Sequence, residues 1–257
     1  MPDYAVIRHR VALALRMIDT STGRAADLNG TIIRCDGKPL HPLLRDDGYI
    51  VFLDLPPDGA TLSVRVPEFE PIELVPDDAA LSAGKYEQEV QLIPDGKSRM
   101  RPCFTLSGTM PGITAIDAVR VGDNACLMRS FDERRKIITL FNPRQLELDR
   151  TFYAVVNPDD ARYEAIEITE RTSDKTFRIA EPLKSEFRNY YPVSRRVLGR
   201  AAPPGNYLLR VRNDSAKCVW IVRYIVNGQA YFQTVDFKGD TPAVLAAPSV
   251  SDNADGS

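Results

Sequence analysis

At 257 residues and 28.7 kDa, the chain is long for one sandwich and comfortable for two small domains. Its 44% hydrophobic and 26% charged residues exclude bulk disorder. A formal net charge of −2 argues against a whole-chain nucleic-acid or anionic-membrane binder, and no stretch approaches the roughly 20 apolar residues of a membrane span.

Arg8, His9 and Arg10 precede a short segment that Arg16 and Asp19 interrupt, so no signal peptide is expected. Residues 10–19 then alternate through Val11, Leu13, Leu15 and Met17, the pattern of a half-buried strand. Residues 21–24 turn the chain. Further short strands are expected at 30–34, 49–53, 61–66 and about 87–93, each bounded by Gly, Pro or Asp. That spacing reads as a β-sandwich over residues 1–96, with no long amphipathic helix.

The residues around these turns carry a family pattern. Thr22 and Gly23 close the first strand. Asp47, Gly48, Tyr49, Phe52, Leu55, Pro56 and Gly59 form a second block, followed by Phe69, Glu70 and Pro71. Over about the first 95 residues this resembles a carboxypeptidase-regulatory-like, transthyretin-type domain. The resemblance implies an Ig-like sandwich that acts as an accessory module. It does not imply the transthyretin-like hydrolase activity. That chemistry uses several histidines and a C-terminal Y-R-G-S, whereas this chain has only His9 and His41 and lacks that tail.

Residues 131–200 are again β-rich. Strands are expected at 136–141, 151–156, 163–170 and 176–179, with a longer loop at 184–192. Short strands joined by turns suit a small SH3-like barrel. The flanks, residues 97–130 and 201–240, each hold too few strands for a core of their own. The economical expectation is one discontinuous second β-sandwich with the barrel inserted. Residues 241–257, rich in Ala, Pro, Ser and Asp, read as a disordered tail. The expected class is therefore all-β.

Charge is uneven: residues 1–96 carry 9 basic and 16 acidic side chains, and the remainder is mildly basic. Such asymmetry can orient a subunit against neighbours. The basic clusters are Arg134, Arg135 and Lys136, and Arg195 with Arg196, the latter preceded by Tyr190 and Tyr191. Tyrosine beside arginine is the composition of protein interfaces. With 12 acids in the same segment, it favours a protein partner over nucleic acid. The carbohydrate-binding alternative would use an aromatic platform from Tyr49, Tyr190, Tyr191 and Tyr231. Trp220 and Tyr224, inside VWIVRYIV, read as core.

No catalytic motif is present. The acidic pairs Asp46-Asp47, Asp77-Asp78 and Asp159-Asp160 sit beside Gly or Pro and read as turn formers. Cys35, Cys103, Cys126 and Cys218 form no C-x-x-C pair, so neither zinc nor any other metal is expected. Cys126 and Cys218 read as small buried hydrophobes. No cofactor is expected, and the location expected for reduced thiols is the cytoplasm. Together these features point to a non-enzymatic structural or adaptor subunit. The tandem β-modules resemble in style those of phage-tail-like particles and contractile injection systems, where they join baseplate, spike or fibre parts. In that setting the cytoplasmic chain would sit in a particle released by lysis.

Overall fold

The computed structural model describes residues 11–54, 56–57, 59–97, 103–121, 126–143, 153–184, 190–212, 219–237 and 244–246. Among them are 22 strands and a single five-residue helix, α1 (Asp78–Ser82). The chain is all-β, as its residue patterns predict. Among the described residues no helix is long and apolar enough to cross a membrane. The chain divides into two units, residues 1–20 with 24–98, and residues 21–23 with 99–257.

The first unit contains β1 (Leu13–Asp19), β2 (Arg24–Ala25), β3 (Ile32–Cys35), β4 (Lys38–Leu40), β5 (Leu43–Leu44), β6 (Tyr49–Phe52), β7 (Leu62–Arg65), β8 (Ile72–Leu74) and β9 (Glu87–Leu92). One sheet centres on β1, with β2 and β6 antiparallel to it, β9 parallel to it, and β5 at the outer edge of β6. The other runs β4-β3-β7-β8. Leu13, Leu15 and Met17 of β1 join Ile50, Phe52 and Leu92, and this layer meets Ile33, Leu62 and Val64 of the second sheet. The result is a two-layer sandwich with one core. β1 is more enclosed than its alternation predicts: Arg16 and Ile18, of the opposite parity, are buried too. The turn into β6 requires glycine. Gly48 has φ +82°, and a Cβ there would lie 2.7 Å from that of Ala25. The acidic pairs shape turns: Asp77 caps α1 by accepting the Ala80 N–H at 3.0 Å. Near the third pair, Asn157 accepts the N–H groups of Asp159 and Asp160.

The second unit contains β10 (Cys103–Thr109), β11 (Ile113–Arg120), β12 (Met128–Asp132), β13 (Ile137–Leu140), β14 (Tyr153–Asn157), β15 (Arg162–Ile166), β16 (Ile168–Arg171), β17 (Thr176–Ile179), β18 (Val193–Leu198), β19 (Arg200–Ala202), β20 (Asn206–Arg212), β21 (Val219–Val226) and β22 (Gln229–Asp236). Its backbone is a six-stranded sheet, β15-β14-β18-β11-β21-β22. A three-stranded sheet, β10-β20-β19, shares a core with one end of it through Leu106, Tyr207, Leu209, Val197, Val222 and Trp220. A four-stranded sheet, β12-β13-β17-β16, shares a second core with the other end, where Phe177, Ile138 and Met128 meet Tyr153, Val155 and Val193.

Backbone pairing does not stop at residue 200. β18 pairs with β14 through Val193 and with β11 through Val197, so one strand feeds both cores. The chain then passes through Gly199 into β19, in the three-stranded sheet. A Cβ at Gly199 would lie 2.5 Å from the Leu208 carbonyl oxygen, which explains the glycine.

Two expectations change on the structure. The strand expected at 163–170 is two strands, β15 and β16, in different sheets. β15 pairs with β14 and β16 with β17, so the chain passes from one sheet to the other at Glu167, although buried Ile166, exposed Glu167 and buried Ile168 keep the alternation of a single strand. Within the expected disordered tail, residues 244–246 are held against the fold, and Leu245 is buried in the first core of the unit. Burial of its side chain with Tyr207, Val222 and Tyr224 offsets the entropy cost of ordering the segment. The remainder of 241–257 lies outside the described residues.

Candidate functional site

Two constellations on the second unit stand out, one buried and one exposed. The buried one lies on the face of the six-stranded sheet opposite the two cores. That face is lined by Val119, Ala154, Val156, Tyr163 and Ile221, and β15 curls across to meet β21. Asp117 of β11 sits there, 4% exposed. Its carboxylate accepts Arg196 Nη1 at 2.6 Å, Arg223 Nε at 3.0 Å and Arg223 Nη2 at 2.6 Å. The Tyr163 hydroxyl donates a further, short bond to it. The register places Asp117 directly opposite Arg223. Arg223 also lies over the Tyr163 ring, 5.5 Å from its centroid, and Phe232 meets that ring edge-on.

Burial, reinforced by the Asp117 charge and hydrogen bond, pushes the Tyr163 phenol well above its ordinary value. Burial lowers Arg196, while Asp117 opposes that shift. Burial also opposes the charge on Arg223, but its bond to Asp117 and the carboxylate charge outweigh burial and raise it. A carboxylate saturated by donors and a phenol that keeps its proton make a tie between four strands, not a proton relay. The signal for it in the sequence is one charge inside each of two apolar strands, ITAIDAVR and VWIVRYIV.

The exposed constellation is an aromatic pair. Phe141 follows β13 and Tyr190 precedes β18. Their rings stack with centroids 5.1 Å apart and planes 9° apart, and the Arg129 guanidinium lies 5.8 Å from the Phe141 centroid. Phe141 is 41% exposed and Tyr190 is 64% exposed. Tyr190 has φ +73°, a left-handed conformation that costs a bulky residue about 1–2 kcal/mol. Its N–H bonds to the Met128 carbonyl at 2.7 Å, which fixes the ring at the surface.

The structure does not gather the seven expected interface residues into one patch. Arg134 and Arg135 are exposed in the β12–β13 turn, where Arg135 lies 3.7 Å from Asp132. Lys136 donates to the Ala180 carbonyl at 2.7 Å. Tyr190 is the more exposed member of the stack, whereas Tyr191 is buried in the second core. Arg195 lies over the Tyr153 ring at 5.9 Å, and Arg196 is in the Asp117 tie. Of the aromatic-platform residues, Tyr49 donates to Glu87 and Tyr231 stacks on Tyr224. His41 is exposed, and His9 lies outside the described residues. Among the described residues no group of three or more His, Cys, Asp or Glu could hold a metal ion.

Cys126 is 2% exposed, and burial pushes its thiol up to about 12. Cys218 lies outside the described residues. The thiolate is the reactive form, so Cys126 in the folded chain should react with iodoacetamide about a thousandfold more slowly than in the unfolded chain. Mass spectrometry of pulse-labelled protein checks this, and rapid labelling of native Cys126 would refute its burial.

No family model, curated protein or solved structure matches this chain.

Proposed function

We propose that the chain is a non-enzymatic structural or adaptor subunit of a larger protein assembly, meeting a neighbouring subunit through the Phe141–Tyr190 surface. The stacked, exposed aromatic pair beside Arg129 carries this reading. Aromatic rings and arginine dominate the energetics of protein interfaces. Holding Tyr190 outward in a left-handed conformation opposes folding, and a partner that covers the ring would offset that cost. The layered β-sheets of both units, two in the first and three in the second, suit a spacer or joint, as in baseplate, spike or fibre parts of phage-tail-like particles.

The competing reading is a carbohydrate-binding platform. It rests on Tyr190, whose ring is open enough to stack on a sugar. A double substitution, Phe141→Ala with Tyr190→Ala, separates the two. As an adaptor, the variant keeps its unfolding midpoint but binds its partner subunit about 30-fold or more weakly. Specific glycan binding by the unmodified chain, lost in the same variant, would replace the adaptor reading with the carbohydrate one.

A further inference from the structure

Residues 244–246 are bound as a peptide is bound. β22 is the edge of the six-stranded sheet, and Gln233 projects from it on the face that carries the first core, as its pairing with Val222 requires. Its carboxamide clamps the segment at two points. Nε2 donates to the Val244 carbonyl at 3.2 Å, and Oε1 accepts the Ala246 N–H at 2.7 Å. A residue in a parallel strand bonds its neighbour in the same way, reaching the carbonyl before and the N–H after one central residue. The central residue here is Leu245. Its own N–H donates to the Tyr207 hydroxyl at 3.4 Å, and the Tyr224 hydroxyl donates to the Ala246 carbonyl at 2.9 Å.

Side chains alone supply these four bonds to the backbone of the segment, so they read an extended conformation and not a sequence. Sequence is read at one position. Leu245 is 5% exposed and packs in the core with Tyr207, Tyr224 and Val222, whereas Val244 is 67% exposed. The site is therefore built between the edge of one sheet and Tyr207 of the facing sheet.

We propose that Gln233, Tyr224 and Tyr207 form a docking groove for an extended peptide with one buried leucine, and that residues 244–246 of this chain are its resident occupant. The recognition mode is akin to β-strand addition, with side-chain bonds in place of the backbone ladder. A tethered occupant acts at an effective concentration of about a millimolar. A competing segment of the same chemistry enters only when a neighbouring subunit presents it at a comparable local concentration. The groove is independent of the Phe141–Tyr190 surface, so neither reading depends on the other.

The test uses full-length chain with Leu245→Asp and a fluorescent peptide of residues 241–249. The aspartate evicts the resident segment but leaves both sheets paired, so the variant should fold. It should bind the peptide at least about tenfold more tightly than the unmodified chain does. Adding Gln233→Ala should abolish that gain, as should Leu→Asp within the peptide. In the unmodified chain, the Leu245 and Ala246 amides should exchange with solvent at least about tenfold faster than the Val222 amide, because the segment opens without unfolding the sheet. A folded Leu245→Asp chain that does not bind the peptide would overturn the proposal. So would failure of that variant to fold, or exchange of Leu245 and Ala246 as slow as that of Val222.

Discussion

Asp117→Asn should destabilise the second unit by about 3–5 kcal/mol, because it removes the buried carboxylate charge that Arg196 and Arg223 share. For a unit of this size that corresponds to a fall of roughly 10 °C in Tm. Tyr163→Phe removes one donor and no charge, and should cost about 2 kcal/mol. The order of the two, measured by chemical denaturation, is the informative result. Equal or negligible losses would show that the tie does not hold the curled sheet. Alkaline stability provides a second check. The folded Tyr163 phenol is raised, so its contribution is complete below the ordinary phenol range and is lost progressively as pH climbs from there towards the raised folded value. Above about pH 10, native stability should fall more steeply in the unmodified chain than in Tyr163→Phe.

Phe177→Ala should cost about 3–5 kcal/mol, the penalty for emptying a large site in a packed core. Phe177 is 1% exposed and belongs to the second core of its unit, while Trp220 belongs to the first. β18 gives Val193 to one core and Val197 to the other. The two cores should therefore melt together. Trp220 is the chain's sole tryptophan, and its fluorescence transition should shift with Phe177→Ala although the substitution lies in the other core. A Trp220 transition that stays in place would show that the cores unfold independently.

The contrast between legible and hidden elements follows the same physics. β1, β6, β7, β21 and β22 are apparent because each alternates or runs apolar between turn residues. β18 is not apparent. Its centre is Arg195-Arg196, which reads as a basic interface cluster until Asp117, 79 positions away, is found to neutralise Arg196. Burial of a charge is set by its partner, and partners distant in sequence leave no local pattern. Short edge strands such as β2 and β5 escape for a different reason: two residues cannot show a period. Tyr191 and Tyr190 are neighbours of like chemistry, yet one is core and the other surface. The left-handed backbone at Tyr190 separates them, and composition does not encode it. Leu245 likewise reads as part of a disordered tail until Gln233 is seen to hold the chain on either side of it.

Size fractionation of native lysate, with detection of this chain, tests the adaptor reading most directly. The account predicts migration with defined partner subunits at a mass far above 28.7 kDa, and return towards that mass when Phe141 and Tyr190 are both replaced by alanine. Migration of the unmodified chain at 28.7 kDa, free of partners, would contradict it.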